Sequence, residues 1–277
     1  MLTVHEALLQ GTHLLENAAI PVPRLTAEVL LAHALQRERE YLYAHPEEPL
    51  SEIAWIHYGR YLDERLHGKP TQYITRRQEF YGREFRLTAH VLIPRPETEH
   101  LVEAALSRIR GGDMVLDVGT GSGAIAISLA LETGARLFAT DISMAALGVA
   151  AANARKLGAA VALFGGDLAS AISDHSVDVL VSNPPYVPSV DAPGLQREVR
   201  DYEPAVALFA GPTGLEIYQR LTADAARVLK PGGWLLVELS YNALEGVRNM
   251  LAAGWEDIDV GSDLAGLPRV LAARRVP

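Results

Sequence analysis

Cysteine is absent from the 277 residues, which excludes disulfides, thiolate metal sites and cysteine nucleophiles. Long apolar runs are missing too: no stretch reaches the roughly 18 uninterrupted apolar residues of a membrane span. The first residues carry no basic segment leading into an apolar one, so a soluble, cytoplasmic protein without a membrane partner is expected. Positive charge is in the minority, with 25 Lys and Arg against 34 Asp and Glu and a net charge of −9. Proteins that grip long stretches of phosphate draw most of their affinity from cation contacts, so direct DNA binding is not expected. The nine histidines are scattered without ligand spacing, and no metal site is expected. What is present is a hydrophobic share of 49%, ample for a core, in a chain long enough for one large domain with an appendage.

Residues 1 to about 70 read as helices. Thr3-Val4-His5-Glu6 has the capping-box form, with Leu8, Leu15 and Ala18 on one face of the helix that follows. Pro21 and Pro23 break it, and Leu25, Val29, Ala32 and Leu35 mark a second helix. After the polar stretch Arg37 to Glu40, Ser51 can cap a third, with Trp55, Tyr58, Leu62 and Leu66 on one stripe. Gly68-Lys69-Pro70 closes the bundle. From Gln78 to Val91 the pattern turns aromatic and alternating, with Gly82 as a turn, and reads as a hairpin joining two domains. Pro94 and Pro96 then fix an extended approach to a helix carrying Leu101, Val102, Ala105, Leu106 and Ile109.

From Asp113 onward strands and helices alternate. Met114 to Val118, Leu137 to Thr140, Val161 to Phe164, Val177 to Ser182 and Trp234 to Leu239 read as strands of a parallel sheet with helices on both faces. Two further strands, Trp255 to Val260 and Arg269 to Ala273, are separated by only a short loop and should pair antiparallel.

Two strand ends carry the chemistry. Val177 to Ser182 stops abruptly at Asn183-Pro184-Pro185-Tyr186, a turn that offers a side-chain carbonyl, backbone carbonyls beside prolines and an aromatic face. Such a set suits a planar NH2 group, with two acceptors for its hydrogens and a ring to stack on its plane. The first strand runs into Asp117-Val118-Gly119-Thr120-Gly121-Ser122-Gly123-Ala124, where glycines let a ligand approach the backbone. Asp141 ends the next strand, where a carboxylate can accept from ribose hydroxyls, and Asp167 and Leu168 follow the third, placed to take an adenine amino group and ring. Gly119, Gly121 and Ala124 also satisfy a dinucleotide fingerprint, so these residues alone leave a nicotinamide-dependent oxidoreductase open. Such an enzyme needs a substrate acid or base at the fourth strand end, and Asn183 is neither.

Together these residues resemble the class I methyltransferases that methylate a planar nitrogen. The stretch Val91 to Glu99, with Gln72-Tyr73-Ile74, Phe80-Tyr81-Gly82, Tyr202-Glu203-Pro204 and Gly211 to Leu215, resembles the HemK/PrmC family over nearly the whole chain. That resemblance implies a Rossmann-like class I methyltransferase α/β sheet, mostly parallel with the last strand antiparallel. It also implies an N-terminal helical substrate-recognition domain over 1–75, a hairpin linker over 76–95 and a methyltransferase domain over 96–277. The implied reaction moves a methyl group from S-adenosyl-L-methionine to the glutamine amide of the Gly-Gly-Gln motif in peptide chain release factors, leaving S-adenosyl-L-homocysteine. By resemblance, Asp117, Gly119, Thr120, Gly121, Ser122, Gly123, Asp141, Asp167, Leu168 and Asn183 would hold the cofactor. Arg95, Pro96 and Glu97 would help Asn183, Pro184, Pro185 and Tyr186 hold the substrate, in a monomeric enzyme. Ribosomal-protein glutamine methyltransferases and nucleic-acid amino methyltransferases share the Asn-Pro-Pro-Tyr turn and are the alternatives. One departure stands out: Arg76 lies where the family pattern has glycine.

Overall fold

The structure, a computed structural model, describes residues 2–251, 253–263 and 265–276. The chain divides into two compact units: residues up to Arg77 together with Gln196–Tyr202, and Gln78–Leu195 together with the chain from Glu203 onward.

The first unit is helical. Helix α1 (Val4–Asn17) starts with the capping box, Thr3 Oγ1 accepting from the Glu6 N–H at 3.2 Å and the Glu6 carboxylate accepting from the Thr3 N–H at 2.9 Å. Leu8 and Leu15 are buried, but Ala18 is the exposed C-cap rather than a core position. Helix α2 (Pro23–Leu35) begins on a proline, whose missing N–H costs nothing in the first turn. Its expected stripe is only partly the buried face: Ala32 is in the core and Leu35 packs against it, but Leu25 is exposed, and Ala27, Leu30, Leu31 and Ala34 complete the buried side. The polar Thr26 and Glu28 are buried on that side too, so packing against its neighbours rather than the apolar pattern sets its phase. A short helix that was not expected, α3 (Arg39–Ala44), begins within the polar stretch. In α4 (Glu52–Leu66), Ser51 caps the start, and Tyr58 and Leu62 are buried while Trp55 stays exposed. Past Pro70, α5 (Thr71–Thr75) ends at Arg76, whose φ of 59° is the left-handed cap conformation that glycine adopts most readily.

In the second unit, β1 (Arg77–Phe80) and β2 (Arg83–Arg86) form the hairpin, and Tyr81 and Gly82 both take the positive φ of a tight two-residue turn. Phe80 and Phe85 meet edge to face at 6.1 Å and are buried in the same core as Leu101, Val115 and Ile127. The hairpin is thus part of this unit's core, where the sequence reading had a linker. Helix α6 (Glu99–Leu106) ends before Ile109, which was expected within it.

The sheet unrolls as β3 (Met114–Val118), α7 (Ala124–Glu132), β4 (Arg136–Asp141), α8 (Met144–Leu157), β5 (Val161–Gly165) and β6 (Val177–Ser182). There follow β7 (Val187–Pro188), α9 (Arg197–Tyr202), α10 (Ala205–Leu208), β8 (Phe209–Gly211), α11 (Glu216–Val228), β9 (Leu229–Glu238), α12 (Leu244–Met250), β10 (Trp255–Ser262) and β11 (Pro268–Arg275). The strand order is β10-β11-β9-β6-β3-β4-β5. All neighbours from β9 to β5 are parallel, and β11 runs antiparallel to both β9 and β10. From β3 the chain winds through β4 and β5 to one side, then through β6 and β9 to the other. The order therefore reverses between β3 and β6, the position where open α/β sheets bind ligands. Register puts Val118 beside Ser182 and Ser182 beside Val237, so Gly119, Asn183 and Glu238 leave their strands side by side.

Candidate active site

A cavity of about 310 Å³ opens at that reversal point. Gly119 and Gly121 form one wall; both have positive φ, and a Cβ at either would meet no protein atom within 4 Å. The loop reaches this shape because the Gly119 and Thr120 N–H groups each donate to the Thr140 carbonyl at 2.9 Å. Asp141, at the end of β4, lines the cavity and accepts through one carboxylate oxygen from the Gly121 N–H and through the other from the Ser143 N–H, both at 2.8 Å. Its remaining lone pairs can take hydroxyl donors. Ile142, Ala146, Leu168, Phe209 and Ile217 supply apolar walls. Leu168 holds a φ of 51°, with its carbonyl accepting from the Thr140 hydroxyl at 3.0 Å. Asp167 lines the mouth and pairs with Arg220 at 2.6 Å.

Asp117, Thr120, Ser122 and Gly123 lie beneath this wall. The fully buried Asp117 carboxyl accepts from the Thr120 hydroxyl at 2.7 Å and the Ala126 N–H at 3.2 Å, which stitches the loop to α7. Burial pushes this carboxyl up to about 7, against those two hydrogen bonds, and its Oδ1 has no partner among the described residues. These four residues, expected to hold the cofactor, belong to the glycine loop but are not among those that line the cavity.

Asn183 and Pro185 line the far side of the cavity. Strand β6 reaches this point because Val177, Val179, Leu180 and Val181 are buried and the two prolines that follow cannot continue a ladder. Asn183 donates from Nδ2 to Thr98 Oγ1 at 3.2 Å. Tyr186 packs against the core around Tyr218, and burial pushes its phenol up to about 12, so it stays neutral. Arg95, Pro96 and Glu97 are outside the cavity lining. Arg95 instead pairs with the buried Glu203, which also accepts from the Ile93 N–H at 3.3 Å. Glu203 thus braces the stretch from Ile93 to Arg95.

The sequence reading missed Thr98, Ile142, Phe209 and Arg220. For Ile142 a signal existed: an exposed apolar residue directly after a strand-ending acid has no packing reason to be there. Arg220 and Phe209 come from distant parts of the chain and carried none.

Residues 97–194 match the family described as methyltransferase small domain, and residues 6–75 that described as PrmC N-terminal domain. A methyltransferase from Pyrococcus furiosus shares the fold, with a TM-score of 0.54 at 18% identity over 72% of this chain and 91% of that one. Sheet order, cavity and family match define a class I methyltransferase. Over 280 residues, covering 99% of both chains, the protein is 44% identical to the release factor glutamine methyltransferase of Koribacter versatilis. Its identity to the protein of the same name from Moorella thermoacetica is 42% over 281 residues, again 99% of both. The chain belongs to the release factor glutamine methyltransferase family.

Proposed function

We propose that this enzyme methylates the side-chain amide nitrogen of the glutamine in the Gly-Gly-Gln motif of peptide chain release factors, acting as a cytoplasmic monomer. The methyl donor is S-adenosyl-L-methionine, which supplies an electrophilic methyl group on its sulfonium. The cavity fits that donor: open space beside Gly119 and Gly121 admits a chain against the backbone, Asp141 retains acceptor capacity for ribose hydroxyls, and Ile142, Leu168 and Phe209 can cover a flat base.

The observation that carries the reading is Asn183, held at the end of β6 beside Gly119, with its amide NH2 engaged by Thr98. That leaves Oδ1 as the group available to a substrate. An amide nitrogen is a poor nucleophile because its lone pair is delocalised. Asn183 Oδ1 and the Pro184 carbonyl would each accept one amide hydrogen, favouring pyramidalisation and stabilising the positive charge that develops on nitrogen. The Tyr186 ring would stack on the amide plane. No general base is needed beforehand, since the alkylated nitrogen is acidic and loses a proton to water. Recognition of the protein substrate falls in this reading to the helical unit and the hairpin.

The test is transfer of labelled methyl from S-adenosyl-L-methionine to purified release factor, with its Gly-Gly-Gln Gln→Ala variant and bulk RNA and DNA as parallel acceptors. Label that is lost with the variant is expected. Label on nucleic acid alone would overturn the reading.

A further inference from the structure

The helical unit holds a cavity of its own, about 420 Å³ in volume, where α2, α4 and α5 meet. His33, Arg60, Tyr61, Lys69 and Arg76 are among the residues that line it, and Glu64 is the one carboxylate there among the described residues. Lys69 takes up that carboxylate at 2.6 Å, and Arg60 stands 3.8 Å from it. The Arg60 guanidinium lies 5.1 Å from the centre of the Tyr61 ring, and the His33 ring is 5.1 Å from the same ring. Arg76 is exposed, and among the described residues no hydrogen bond or ion pair engages its guanidinium. In a chain of net charge −9, this cavity therefore carries a local surplus of cations. His33 registers that surplus: burial lowers its pKa first, and Arg77, Arg76, Arg60 and His57 lower it further.

The backbone at Arg76 is a separate observation. Its φ of 59° is a conformation that glycine takes most readily, and strained non-glycine residues cluster at binding and switch sites. We propose that this cavity docks an acidic segment of the protein substrate, whose carboxylates pair with Arg76 and Arg60 beside the Tyr61 ring. Docking of this kind rests on the reading above that the methyl acceptor is a protein. Planar guanidinium groups match carboxylates through paired N–H donors. A nucleic acid calls instead for cations spread along its backbone, and the acidic balance of this chain repels a long polyanion. The volume suits the entry of a few side chains.

The test uses the full-length enzyme with release factor as methyl acceptor. Arg76→Gly should raise KM for the acceptor about 3- to 10-fold, and Arg60→Ala/Arg76→Gly about 10-fold or more, with kcat within about threefold. A purely structural role for Arg76 predicts otherwise, because glycine relaxes the backbone there and should raise Tm while docking weakens. Salt should raise the wild-type KM more steeply than that of the double variant. Arg37→Ala removes an exposed cation of the same unit outside the cavity and should leave KM within about twofold. Hexaglutamate should compete with release factor for the wild type and not for the double variant.

A KM for the double variant within about twofold of wild type would overturn the docking site and leave release factor standing as the acceptor. An equal rise in KM for Arg37→Ala would do the same, since overall charge rather than the cavity would then steer the substrate. Hexaglutamate that inhibits both enzymes alike, or neither, also sinks the proposal. Inorganic phosphate or an RNA oligonucleotide that competes more strongly than hexaglutamate would assign the cavity to phosphate and not to an acidic peptide. Wild-type enzyme that places no label on release factor would overturn the reading of the acceptor itself, and the docking of that acceptor with it.

Discussion

A Cβ added to Gly214 would lie 2.6 Å from the carbonyl oxygen of Tyr186. Gly214 has a φ of 82°, and the Pro188 ring sits 3.1 Å from the same point. The loop before α11 is therefore seated directly on the exit of the Asn-Pro-Pro-Tyr turn. Gly214→Ala should displace that turn and lower methyl transfer by about 100-fold, the cost of a small misplacement of reacting groups. Cofactor affinity, measured by calorimetry, should change little, since none of these atoms lines the cavity wall formed by the glycine loop.

Asn183→Ala removes the proposed amide acceptor. Turnover should drop by about 100- to 1000-fold with cofactor binding intact. Methyl transfer within about fivefold of wild type would remove Asn183 from this role.

Asp141→Ala deletes two backbone ties, to Gly121 and Ser143, along with the acceptor offered to a ribose. The Kd for S-adenosyl-L-methionine should rise about 10- to 100-fold, matching the loss of a charged hydrogen bond. Titration calorimetry checks this, and an unchanged Kd refutes the assignment.

Arg76 caps α5 with a φ of 59°, a conformation that costs a non-glycine residue about 1 kcal/mol or more. Arg76→Gly should stabilise the helical unit by about 0.5–1 kcal/mol after the extra freedom glycine gives the unfolded chain. A calorimetric scan should show a Tm gain of about 2–8 °C in the transition of that unit.

Two buried acids make stability depend on pH. Asp117 and Glu238 keep their protons in the folded state up to about 7, but ionise in the unfolded chain near 3.8 and 4.5. Between those limits the folded protein binds more protons, so their contribution to stability is present at low pH and is lost as pH rises through about 7. His33, lowered by burial, works in the opposite direction. Comparison with Glu238→Gln cancels His33 and Asp117: the urea midpoint of wild type should fall more between about pH 5 and pH 8 than that of the variant. Equal slopes would mean that Glu238 ionises normally in the fold.

Legibility in the sequence followed how local each cause is. Met114–Val118 and Val177–Ser182 were readable as strands because β-branched runs there end against glycine or proline. The start of β9 was not, since Leu229-Lys230-Pro231-Gly232-Gly233 reads as a loop and enters the sheet only through an irregular register with Val177 and Val179. The phase of α2 escaped because its buried side includes the polar Thr26 and Glu28, which an apolar stripe does not reveal. At the site, the glycine loop, Asp141 and Asn183 announced themselves through strand-end chemistry, whereas Thr98 looked like part of a stiff approach. Its partner Asn183 lies 85 residues away in sequence, and only the fold brings the two together.

Arg65 in α4 is 6% exposed and pairs with Glu198 at 2.6 Å, and the Tyr202 hydroxyl donates to the His67 carbonyl at 3.1 Å. Glu198 and Tyr202 belong to a segment that is flanked in sequence by the catalytic unit on both sides. A fragment stopping at Arg77 would leave the Arg65 guanidinium buried without its counter-charge, a defect costing several kcal/mol. The two units are interleaved along the chain, so no single cut separates them. Recombination that swapped the helical unit for another would have to carry the distant Glu198 segment with it, which ties the inheritance of the two units together.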